Sequence, residues 1–69
     1  MTELELIRTL SKAIDFYKAF GSRSITVYID YKTSNVVIDD VIKKFHKEGY
    51  GMRLCIDLYA LQKFILINW

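Results

Sequence analysis

The last seven residues, KFILINW (63–69), decide how the chain is assembled. Four apolar residues stand in a row, from Phe64 to Ile67, before Asn68 and Trp69. A strand with one wet face alternates apolar and polar residues, because successive side chains point to opposite faces. This segment does not alternate. One of its sides, either Phe64 and Leu66 or Ile65 and Ile67, therefore belongs to a core, and the other lies where this chain has nothing left to cover it. With no charge after Lys63 and no proline, such a strand is expected to be adhesive in a monomer.

The rest of the chain supplies that core in a legible order. In TELELIRTLSKAIDFYKAFG (2–21), Thr2 and Glu5 have capping-box spacing. Ile7, Leu10, Ile14 and Tyr17, flanked by Leu6, Ala13 and Phe20, recur at helical spacing, and Gly21 follows as a left-handed stop. SITVYIDYK (24–32) alternates, with Ile25, Val27, Ile29 and Tyr31 on one side and Thr26, Tyr28 and Asp30 on the other. Its β-branched and aromatic content predicts a strand. The Thr-Ser-Asn stretch at 33–35 caps a second helix over 35–48, whose apolar stripe is Val37, Ile38, Val41, Ile42 and Phe45. Asp39 and Asp40 are expected near its positive end and Lys43, Lys44 and Lys47 near its negative end, with Asp39–Lys43 and Asp40–Lys44 pairs. After Gly49 the period returns to two. Met52, Leu54, Ile56 and Leu58 face one way and Arg53, Cys55 and Asp57 the other, over a strand at 51–58. A connection around Leu58–Gln62 without Asn-Gly or Asp-Gly turn chemistry leads to the final strand at 63–68.

The order is thus α-β-α-β-β. Strand, helix and strand over 24–58 make a βαβ unit, so those two strands are expected to lie parallel as neighbours, with the last strand added antiparallel. Two amphipathic helices need one apolar sheet face. The expected fold is α+β: a two-layer α/β sandwich of one domain (1–69), a three-stranded mixed sheet with both helices on one face.

Composition narrows the function classes. Sixty-nine residues are near the lower limit for folding without staples, and small domains add disulfides, a metal or a partner chain. One cysteine, Cys55, forms no disulfide within the chain, and Cys55 with the single histidine His46 cannot complete a zinc site. That leaves oligomerisation or an unusually good core, and 52% apolar residues, a surplus over what two layers bury, point toward a dimer. The net charge of +2 is low for a nucleic-acid-binding domain. No run approaches a membrane span, the acidic amphipathic start is not a secretory signal, and the free cysteine suits the cytoplasm.

The layout of a helix running to Gly21, SITVYID (24–30), and a second helix ending in KKFHKEGY (43–50) before two closing strands resembles the TusA/SirA-type sulfur carriers. That resemblance implies a βαβαββ-like sheet over residues 7–67. Those proteins carry a persulfide on a Cys-Pro motif at a helix start. Here the first strand and all prolines are missing, Thr2 opens the helix, and Cys55 lies within a strand. The fold is implied and the sulfur chemistry is not. The same order is similar to Alba chromatin proteins and the C-terminal domain of translation initiation factor three, which bind nucleic acid.

No constellation specifies catalysis or a cofactor. Cys55, two residues from Arg53, is read as a strand cysteine at a packed interface, and His46 as a helix-end surface histidine. Asp30 and Asp57, expected at the ends of neighbouring parallel strands, are the one carboxylate pair that topology would bring together. GYG (49–51) joins a helix to a strand, the reverse of a phosphate loop. The expected function is a non-enzymatic binding or adaptor protein, a homodimer working through Tyr28, Arg53, Cys55, Phe64, Leu66 and Trp69. The alternatives are a nucleic-acid-binding module using Lys43, Lys44, Lys47 and Arg53, with Tyr28 and Phe64 as stacking platforms, and a degenerate sulfur carrier using Cys55.

Overall fold

Local chemistry sets the helix ends. In the computed structural model, which describes Met1–Trp69, α1 runs Glu3–Ala19 and α2 runs Asn35–Lys47. Thr2 and Glu5 close the capping box, each side chain accepting from the other's backbone N–H at 3.2 and 3.1 Å. Ser34 Oγ accepts from Val36 N–H at 3.2 Å to start α2. Both helices end in the same double bond pattern. Gly21 N–H donates to Lys18 and Ser22 N–H to Tyr17; Gly49 N–H donates to His46 and Tyr50 N–H to Phe45. Gly21 and Gly49 sit at φ 81° and 93°, where a Cβ is penalised.

The three strands are β1 (Ser24–Ile29), β2 (Gly51–Asp57) and β3 (Gln62–Asn68), in the spatial order β1-β3-β2. Two sequence expectations change here. β1 and β2 do run the same way, but they are not neighbours, because β3 inserts between them and pairs antiparallel with both. Every ladder is therefore antiparallel, and Asp30 and Asp57 belong to opposite edges of the sheet, with β3 between them. The segment read as an adhesive outer strand is the middle strand, with hydrogen-bonded neighbours on both edges. The short β2–β3 connection makes those two strands partners, and the remaining edge of β3 then receives β1.

Strand parity divides the sheet. Ile25–Ile67–Met52 and Val27–Ile65–Leu54 form cross-strand rows beneath the helices. Leu6, Leu10 and Ile14 of α1 and Ile38, Val41, Ile42 and Phe45 of α2 close over them. Tyr17 and Phe20, expected on the apolar face of α1, are exposed, and the buried residues of the helix end at Ile14. Asp39 and Asp40 lie in the second turn of α2, and the chain's one ion pair runs from Lys44 to Glu3, tying helix to helix.

Candidate functional site: the open sheet face

The side of the sheet away from the helices carries three cross-strand rows: Ser24–Asn68–Gly51, Thr26–Leu66–Arg53 and Tyr28–Phe64–Cys55. Gln62 and Asp57 follow at the hairpin end. Nothing in the chain covers this face. The Tyr28 and Phe64 rings lie 5.3 Å apart at 43°, and Tyr28 is 62% exposed. Leu66 and Cys55 are half-buried beside them. Such a row of aromatic and aliphatic side chains is the part of a surface that association desolvates most favourably.

Five of the six residues expected at a partner surface, Tyr28, Arg53, Cys55, Phe64 and Leu66, therefore share one face. Trp69 does not. Its number shares parity with Ile65 and Ile67, so it turns to the helix side. There its ring lies 6.5 Å from that of Tyr50, Lys18 Nζ stands 5.8 Å from the ring centre, and the Trp69 backbone N–H donates to Arg23 O. Thr26, not singled out as a partner residue, sits between Ser24 and Tyr28, and strand parity alone identifies it.

The basic set is split by the same geometry. Arg53 lies on the open face, while Lys43, Lys44 and Lys47 are on α2 in the opposite layer, with Lys44 engaged by Glu3. The four residues do not form one surface. His46 is joined to the start of β2, its Nε2 3.2 Å from Met52 O and 3.4 Å from Met52 N. No three His, Cys, Asp or Glu side chains converge as a metal-ion site would require.

The β2–β3 connection is apolar and exposed. Leu58 is 73% exposed, Tyr59 fully so and Leu61 61%. Asp57 Oδ1 accepts from the Tyr59 and Ala60 N–H groups at 3.0 and 3.1 Å, which shapes the turn. Leu61 closes it at φ 51°, the left-handed region that a branched side chain rarely adopts. At the far end of the sheet, Ser24, Ile25, Thr26, Leu66, Ile67 and Asn68 line a shallow groove of about 440 Å³. No protein family, curated protein or solved structure matches this chain. The fold and face thus define a small α+β protein with an uncovered antiparallel sheet.

Proposed function

We propose that the protein is a non-enzymatic binding module that works as a homodimer in a reducing compartment such as the cytoplasm, its open sheet face buried against a second copy. The observation that carries this reading is the contiguous Tyr28–Phe64–Cys55 row with Leu66 beside it, a sandwich-type inner face with only one sheet present. Burial keeps Cys55 from solvent oxidants. Sedimentation equilibrium tests the reading: it should give twice the 8.1 kDa chain mass, and Phe64→Lys should return the single-chain mass with its circular dichroism intact. A wild-type chain that stays monomeric at millimolar concentration contradicts it.

The tilted Tyr28–Phe64 pair favours one second reading, in which single-stranded bases stack on the sheet. The strands of the open face carry one cation, Arg53, and one anion, Asp57, with Asp30 just past the end of β1, which is a poor electrostatic footprint for a polyphosphate. Fluorescence anisotropy with single-stranded DNA and RNA at low salt separates the two: no binding is expected.

A further inference from the structure

We infer that the two copies pack about a two-fold axis running across the strands, along the Tyr28–Phe64–Cys55 row, so that Arg53 of each copy meets Asp57 of the other and each hairpin tip lies over the Asn68 end of the other copy's sheet. This rests on the homodimer reading and specifies its geometry. Three features of the open face remain unexplained in a single chain. The tip Leu58-Tyr59-Ala60-Leu61 is apolar and exposed, although turns facing water favour Gly, Asn and Asp. Leu61 holds a left-handed conformation there where glycine would be unstrained. Arg53 has no ion-pair partner, and Asp57 uses only one of its carboxylate oxygens, on its own turn.

Face-to-face sheets related by symmetry require an axis in the plane between them, and strands of aligned sandwiches stay within about 30° of one another. An axis along the strands keeps every row over its own counterpart. It would stack tip on tip, set Arg53 near Thr26 and leave Asp57 without a cation. An axis across the strands inverts the rows instead. About the Tyr28–Phe64–Cys55 row, the row of Arg53 comes over the row of Asp57, each roughly 7 Å from the axis. Arg53 and Asp57, about 13 Å apart along one strand and unable to pair within it, then pair twice across the interface. The tip, two rows out, falls on the partner's Ser24–Asn68–Gly51 row. Over Gly51 it meets the Asn68 side chain, which also borders the groove between the ends of β1 and β3. One operation thus gives both charges a partner, the apolar tip a surface to lie on and the Tyr28–Phe64 pair its cover.

The test is sedimentation velocity across a dilution series of full-length variants. Arg53→Asp and Asp57→Arg are each expected to weaken dimerisation by about tenfold or more, as for loss of a close charge pair, and the double swap to recover most of it. Because Asp57 also shapes the turn, Arg53→Asp with its rescue carries the result. A tip variant combining Leu58→Ser, Tyr59→Ser and Leu61→Gly should be monomeric and still unfold in one cooperative transition, with its circular dichroism intact. Dimers whose affinity ignores both the swap and the tip would overturn this geometry while leaving the homodimer standing. A monomeric wild type would remove both. Binding of a monomer to neutral lipid vesicles through Tyr59 would assign the tip to a membrane surface and likewise overturn the inference.

Discussion

Lys63, at the start of the central strand, points into the core and donates a 2.8 Å hydrogen bond to Asn35 Oδ1 in the first turn of α2. A second 2.8 Å bond goes to Thr33 O, and the ammonium lies 5.2 Å from the Tyr31 ring centre. At 9% exposure it is the only charged side chain in the core. A buried ammonium is tolerated only when its donors are met, and here the β1–α2 loop meets them.

Replacing it should therefore unfasten that loop. Lys63→Met keeps the apolar stem but leaves the Thr33 carbonyl without its donor. A loss of about 1–3 kcal/mol is expected from an orphaned buried acceptor. Urea denaturation reads it directly. An unchanged or raised midpoint would show that desolvating the ammonium costs as much as its bonds return.

Ile65 occupies the middle of the middle strand, fully buried, between Val27 and Leu54. Ile65→Ala should cost about 2–5 kcal/mol against a total stability of roughly 3–10 kcal/mol for a chain of this length. Ile25→Ala, on the outer strand and only partly buried, should cost less. Thermal melts of the two rank them. Equal losses would contradict the central placement of β3.

How far the sequence anticipates these features depends on the range of the interaction. Caps and stops at Thr2, Ser34, Gly21 and Gly49 are contacts within a few residues, so their spelling is local. Strand parity is local too, and it alone gathers Tyr28, Arg53, Cys55, Phe64 and Leu66 on one face. Strand order is not local. It depends on which edge of β3 receives β1, a pairing across some 40 positions. Signals for it were nevertheless present: apolar residues on both sides of Phe64–Ile67 suit a strand flanked twice, and Arg53 and Asp57 suit an edge. Trp69 follows parity to the helix side, although its nearness to Phe64 and Leu66 in the sequence suggests the open face. The burial of Lys63 had no local signal, since its partners come from the β1–α2 loop.

Leu61 and Gly49 both hold positive φ, at 51° and 93°, with opposite side-chain content. A Cβ in this region costs about 1–2 kcal/mol, offset in part by the extra freedom glycine gives the unfolded chain. Leu61→Gly should therefore hold or raise the stability of the monomer, by up to about 1 kcal/mol, while Gly49→Ala lowers it by about 1 kcal/mol. No atom lies within 4 Å of a Cβ built at Gly49, so the loss there is purely conformational. Chemical denaturation of both variants decides it. A destabilised Leu61→Gly would mean that the side chain supplies packing worth more than the strain.

The capping box gives the one titration whose direction is set. Backbone and side-chain hydrogen bonds with Thr2 hold the Glu5 carboxyl below its usual value. A carboxyl whose folded value is depressed contributes stability above its unfolded value and loses it as the pH falls through the folded one. The start of α1 should thus be firm at neutral pH and loosen in acid, below the ordinary carboxylate range. Glu5→Gln cannot titrate, so it should flatten that part of the dependence while retaining an acceptor for the Thr2 N–H. Thr2→Ala removes the other half of the box and should cost about 1 kcal/mol at neutral pH. Hydrogen exchange at the Thr2 and Glu5 amides, followed from pH 7 to pH 3, reads the opening locally. Protection at Glu5 that stays constant through acid in the wild type, or that falls equally in Glu5→Gln, would place the titrating group elsewhere.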